Sequence, residues 1–412
     1  MRIITGKTEA LRAVKEKGIR LCRVSKALQD DKDVVTAAIQ CQGWALDFAS
    51  DRFQDDKEIV MMAVGKHGRA LQYASDRLRN DKEVVMAAVE KNGLALLSTS
   101  HRLRDDKEVV LLAVRQDKRV FEYASDRLRD DKDMVISLVS KKGIVLRYAS
   151  KRLRDDKEVV MVAVEEHLCA LRSASERLQD DKDVVMTAVG KNGFELMHVS
   201  NRLKDNKEIV LLAVRNNGIA LDYASERLQD DKDVVMTAVG QNGFALRDAS
   251  DRLQDDKDVV LLAVRNNGIV LKDASNRLRD DEEIVMAAVK QNWFALSLAS
   301  GRLRDNKEFV MTAVEQYGIA LWYASERIQD DKDVVLVAVK QNGWVLDYAS
   351  ERLKDDKDVV MAAVNQNGWV LEYASERLRD DREVVWAAVK QNEDALRDAS
   401  KRLQKLFKEG LN

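Results

Sequence analysis

Proline is absent from this 412-residue chain, where average usage of about 5% would give roughly 20. With no proline to break helices, a nearly all-helical fold is expected. Cysteine is scarce as well: Cys22, Cys41 and Cys169 are odd in number and scattered. That argues against a disulfide framework and suits an intracellular, reducing compartment such as the cytoplasm. The four histidines, His67, His101, His167 and His198, share no ligand spacing, so neither a metal nor a cofactor is expected. No stretch approaches the roughly 18 apolar residues of a membrane span, and Met1 to Ser25 is charged throughout, unlike a classical secretion signal. An excess of one charge is missing too. The 69 basic and 71 acidic residues nearly cancel, which counts against nucleic acid and anionic membranes as partners.

What the chain does have is a repeat. Residues 26 to 400 divide into fifteen consecutive 25-residue units with no insertion or deletion. Within a unit, position 25 is always Ser, from Ser50 to Ser400. Position 2 is Arg in every unit but the first, which has Ala27, and position 3 is Leu except for Phe53 and Ile328. Residues 176–225 and 226–275 match at 37 of 50 positions, the trace of a duplicated two-unit block. Such regularity implies a uniform stacking geometry.

Each unit carries start and stop signals. Asp at position 5 with an acid at position 8 (Asp30 and Asp33, Asp355 and Asp358) has capping-box spacing, which predicts a helix starting there. Apolar positions 9, 10, 13 and 14 form its inner face. Asn-Gly at positions 17 and 18 predicts a left-handed C-cap, with Gly in 11 of 15 units. The exceptions, Lys118, Leu168, Trp293 and Glu393, predict modified turns. A second short helix is expected at positions 19–25, with 20, 21 and 24 inward, and positions 1–4 read as a tight link. Neither helix would be stable alone, so stacking must create the core. Val235 and Leu246 are expected to be buried and Lys232 exposed.

The motif D-K-[DE]-V-V-x-x-A-V-x-x-N-G-x-A-L-x-x-A-S resembles the DUF4116 helical repeat over residues 26 to 400. The resemblance implies an all-α helical array, an α-solenoid, and carries no catalytic or binding residues. Residues 1–25 keep Val14, Gly18, Leu21 and Ser25 and read as a degenerate N-terminal capping repeat. Residues 401–412 keep Arg402 and Leu403 and read as a C-terminal cap. The expected organisation is a single continuous solenoid domain of fifteen α-α repeats between these ends.

The repeated chemistry reads mainly as structure. Acids at positions 5, 6 and 8 could suggest Ca²⁺ loops, but Lys stands among them and the sharp Gly of such loops is missing. Arg at position 2 could clamp phosphate, yet its acidic neighbours favour an Arg–Asp ladder assisted by Ser at position 25. Met61, Met86 and their equivalents at position 11 read as core filling. No nucleophile with a partner, phosphate loop or ligand cluster breaks the repeat, so catalysis is not expected.

The remaining signal is variation. Positions 19, 22 and 23 change freely and share a helix face. Residues 281 to 400 hold five of six Trp and four of eight Tyr. A non-enzymatic scaffold, acting as a monomer or within a larger complex, is therefore expected to bind protein through its extended surface. The candidate patch is Trp322, Tyr323, Trp344, Tyr348, Trp369 and Tyr373, with Trp344 expected beside Trp369 and Tyr348 beside Tyr373. A structural spacer, and single-stranded RNA binding at one base per repeat, are the alternatives.

Overall fold

The computed structural model describes residues 3–17, 21–141 and 143–408. Short helices succeed one another with the 25-residue period, giving an all-α solenoid. In residues 351–375 the sequence of elements is a four-residue α-helix, Glu351–Lys354, a ten-residue α-helix, Lys357–Gln366, and a six-residue 3-10 helix, Gly368–Tyr373. Among the described residues the only pairing of extended backbone is an isolated bridge between Ile4 and Val24. The chain forms two compact units, Met1–Lys191 with His198–Ser200, and Asn192–Met197 with Asn201–Asn412. Inside each, the long helix of one repeat packs on the long helix of the next, as do Lys57–Lys66 and Lys82–Lys91 in the first and Lys332–Gln341 and Lys357–Gln366 in the second.

Burial follows the expected apolar phase. Val235 and Leu246 are fully inaccessible, and Leu at position 3 is buried throughout, as at Leu228. The position 11 methionines are half-buried on the long helix. Lys232 differs from expectation: it is half-buried, because its ammonium reaches Asp256 and Asp258 of the next repeat at 2.9 Å.

Local chemistry departs from the expected signals at several points. The long helix is capped by position 6. Asp56 has extended backbone (φ −86°, ψ 115°), and its carboxylate accepts from the N–H groups of Glu58 and Ile59 at 2.9 and 3.2 Å. Position 5 instead ends the preceding four-residue α-helix, which occupies the stretch expected to be a mere link. The acid at position 8 does not complete a capping box; Glu83, for example, receives Lys57 from the repeat before at 2.7 Å.

Nor is the glycine at position 18 a left-handed C-cap. Position 17 is extended, as at Asn92 (φ −157°, ψ 113°), and its side chain caps the following segment by accepting from Leu94 N–H at 3.0 Å. That segment is a 3-10 helix rather than an α-helix, with i→i+3 bonds such as Ala95 N–H to Asn92 O. The glycine is required by close approach: a Cβ on Gly343 would lie 2.7 Å from the carbonyl oxygen of Ala363 in the next long helix. Lys118, Trp293 and Glu393 nevertheless start 3-10 helices, whereas at Leu168 the turn is altered and the 3-10 helix shrinks to Leu171–Ser173.

At the N-terminal end, helix Lys7–Lys17 lies against Lys32–Cys41 as a long helix would; Gly18 is outside the described residues. At the other end, helix Lys401–Lys408 buries Leu403 and half-buries Leu406 and Phe407. No helix among the described residues is long and apolar enough to cross a membrane.

Candidate interaction strip

Positions 19 and 22 fall on the same side of the 3-10 helix because residues three apart eclipse one another, and position 23 borders them. The stagger between successive 3-10 helices sets which side chains meet. An aromatic at position 19 touches the tyrosine at position 23 of the following repeat: Trp44 meets Tyr73 at 6.1 Å, Phe194 meets Tyr223 at 6.4 Å, Phe294 meets Tyr323 at 5.5 Å and Trp344 meets Tyr373 at 6.1 Å, all edge to face. Ring contacts therefore run on the diagonal, where equal positions had been expected to pair.

The six candidate residues separate into three groups. Trp322 is exposed at 47% and stacks on Tyr323 (5.3 Å, 9°) and on Tyr348 of the next repeat (5.1 Å, 1°). Tyr323 and Tyr348 are half-buried. Trp344, exposed at 44%, pairs with half-buried Tyr373. Trp369 is half-buried, with the Arg397 guanidinium 4.3 Å from its ring centroid. Offset and edge-to-face pairs at these separations each contribute about 0.5–1.5 kcal/mol beyond area burial.

Three neighbours had not been assigned to the strip from the sequence: Trp293, Phe294 and Arg397. Trp293 stacks on Tyr323 at 5.7 Å and Phe294 meets the same ring from the side, so Trp293, Tyr323, Trp322 and Tyr348 form one unbroken series. The available signal was Trp293 standing where glycine is the rule. For Arg397, no spacing argument based on equal positions would have found it.

The strip also carries charge. Negative charge from Glu372 and Asp347 adds to burial in raising the Tyr373 phenol above its usual range, burial being the larger effect. Farther up, position 23 holds Asp248 and Asp273 in place of tyrosine. Burial raises both carboxyls, and one oxygen of each is buried without a partner.

The repeated ionic groups act between repeats. Asp55 at position 5 accepts from Ser75 of its own repeat and from Arg77 of the next, whose Nε lies 3.0 Å away and whose Nη2 reaches the Asp55 carbonyl at 2.6 Å. The Ser75 hydrogen bond, then Arg77, hold the Asp55 carboxyl below the usual range. The ladder recurs at Asp355 with Ser375 and Arg377. Ala27 lacks the arginine, and the residue one step upstream of Asp30 in the repeat phase is Thr5, so both halves are missing together. Among the described residues no group of three or more His, Cys, Asp or Glu side chains is arranged to hold a metal ion.

Fold and ladder together define a tandem helical-repeat protein, a class suited to a structural or interaction role. Ten matches to one family model, described as a domain of unknown function, DUF4116, run from residues 31–79 to 356–404, and the chain belongs to that family. Matches begin at position 6, on capping residues such as Asp31, Asp56 and Asp231, and most span two repeats. Overlapping starts at 206, 231 and 256 arise because each repeat can open a pair. A comparison with curated proteins returns no match.

Proposed function

We propose that the chain is a non-enzymatic, intracellular scaffold that binds protein through the 3-10 strip, with Trp322, Tyr323, Trp344, Tyr348, Trp369 and Tyr373 as the partner-binding residues. In this reading residues 26–400 are a single array, closed by 1–25 and 401–412. The observation that carries it is the aromatic series from Trp293 to Tyr348, continued by Trp344 and Tyr373, in which Trp322 and Trp344 are exposed. Indole and phenol rings supply large rigid contact area at little entropic cost, which is why they anchor protein interfaces.

The test is a cross-linking pull-down from the native source with the wild-type chain and with Trp322, Tyr348 and Tyr373 replaced by alanine. The scaffold reading expects specific proteins to be enriched by the wild type and lost by the variants while melting temperature is nearly kept. A spacer would enrich nothing, and an RNA binder would enrich oligonucleotides with strong salt dependence. A large fall in melting temperature, of the size expected for truncating core aromatics at about 3–5 kcal/mol each, would make the strip a packing feature.

A further inference from the structure

Three successive steps of the strip differ in what covers the aromatic face. At the first, Trp322 at position 22 lies flat on Tyr348, 5.1 Å between centroids and 1° from parallel. At the third, Arg397 at position 22 lies over Trp369, its guanidinium carbon 4.3 Å from the ring centroid. Its Nε is 3.5 Å from Asp398, the residue at position 23. Between them stands Trp344. The residue in the place of Arg397 is Glu372, and Tyr373 takes the place of Asp398. Trp344 is accordingly exposed where Trp369 is half-buried.

The surroundings of Trp344 are negative. Asp347 lies three residues on in the same 3-10 helix, Glu372 adjoins Tyr373, and both are exposed. Neither is paired with a cation among the described residues. Their charges reach the Tyr373 ring that touches Trp344. Two carboxylates beside an open indole face and a phenol make half of a cation–π arrangement, with the cation missing.

We propose that Trp344, Tyr373, Asp347 and Glu372 receive an arginine side chain from a protein partner. The chain's own Arg397 is the pattern for it. Its guanidinium carbon lies over the Trp369 ring while its Nε stands near the Asp398 carboxylate, and Trp344 offers an exposed ring with carboxylates already nearby. Arginine fits better than lysine here because its flat delocalised ion can stack and donate to a carboxylate at once, whereas an ammonium is a compact, strongly hydrated charge. This inference rests on the strip being a protein-binding surface and adds the chemistry of one subsite.

A nine-residue peptide of alternating glycine and arginine, titrated into the full chain while the indole N–H resonance of Trp344 is followed, tests it directly. The same peptide with citrulline, which keeps the shape and loses the charge, should bind about tenfold more weakly or worse. Glu372→Arg would place a guanidinium over Trp344 as Arg397 stands over Trp369, and should abolish the shift; Glu372→Gln should weaken it. Both substitutions are at an exposed side chain, and an unchanged melting temperature verifies that the fold is kept. Equal binding of the citrulline peptide, or full binding by Glu372→Arg, would overturn the subsite. If Trp322→Ala loses the native partners while Glu372→Arg keeps them all, the scaffold stands and the arginine subsite falls. If neither variant loses any, both readings fall.

Discussion

The joint between residues 326–350 and 351–375 is regular, and the joint between 101–125 and 126–150 is not. In the first, Gly343 lets the chain approach the Ala363 carbonyl, the long helices Lys332–Gln341 and Lys357–Gln366 pack closely, and Lys332 bridges both Asp356 and Asp358 at 2.8 Å. In the second, Lys118 replaces the glycine, and Leu138 stands where the following repeat usually has alanine. Helix Lys132–Val139 stops early and stands off from Lys107–Gln116, a cavity of about 210 Å³ opens beside Leu111, Val114 and Leu138, and Lys107 is 3.6 Å from Asp131.

A third joint separates cause from coincidence. At Trp293 the glycine is again lost, and Glu282–Gln291 and Lys307–Gln316 again approach each other less closely. Here Glu282 replaces the bridging lysine altogether and is held by Arg302 at 3.4 Å. Leu168 takes the other route: the turn retracts, Leu168 is left exposed, and the long helices stay packed. A side chain at position 18 must therefore either part the helices or unravel the turn. Glu393 leaves its turn intact and starts the full 3-10 helix Glu393–Asp398.

The largest effect should come from breaking the regular joint. Gly343→Leu forces a side chain against the Ala363 carbonyl and should cost about 1–3 kcal/mol or more, as overpacking does. Gly301→Ala is the control, because a Cβ there has nothing within 4 Å, and it should be neutral or slightly stabilising. Denaturant midpoints of the two variants decide the matter; equal losses would mean that close approach is not why glycine is there.

Much of this was legible in the sequence, and the failures share one cause. The period, the all-helical class, the buried face through Val235 and Leu246 and the Arg–Asp–Ser ladder could be read from residue types at fixed spacing. The cap at position 6, the 3-10 form of the second helix and the role of glycine could not. Each depends on how closely the next repeat approaches, which one repeat's own signals do not encode. The same applies to the strip: its residues were found by their variability, but the diagonal pairing of Trp344 with Tyr373 follows from a stagger between repeats that spacing alone does not contain.

A second prediction sharpens the comparison by pH. Asp55, Asp105 and their equivalents are held below the usual carboxylate range by serine and arginine. A carboxyl lowered in the folded state contributes stability that is present above its unfolded value, near 3.8, and lost as pH falls through the folded value. Lysines such as Lys332, raised by Asp356 and then Asp358, tie regular joints further. The Lys118 and Trp293 joints have the weaker ties, so acidification should release them first. Hydrogen exchange should show amides of 132–139 and 282–291 losing protection at a higher pH than those of 332–341. Simultaneous loss would mean that the lysine ties and the glycine contact contribute nothing distinct.

The smallest effect concerns a position where two parts of the strip differ in sign. Position 23 is tyrosine in the aromatic segment, at Tyr348 and Tyr373, and aspartate at Asp248 and Asp273. Burial raises the Asp273 carboxyl, outweighing the attraction of Lys272 and Arg247, and its Oδ2 is buried without a partner. For an acid raised in the folded state the sign is opposite to that of the ladder. The ionised form is a penalty at neutral pH, relieved as pH falls through the folded value. Asp273→Asn keeps the shape and removes the charge, so it should raise the melting temperature at pH 7 by a few degrees at most. The gain should shrink as pH falls through the raised folded value and disappear only below the unfolded value of 3.8, where the carboxyl becomes neutral in both states. Asp248→Asn should gain less, because Asp248 already accepts from Arg247 Nε at 3.1 Å. Melting curves of the two variants from neutral to acid pH check both the sign and the order. A gain that persists unchanged into acid would mean that something other than the buried charge separates asparagine from aspartate there.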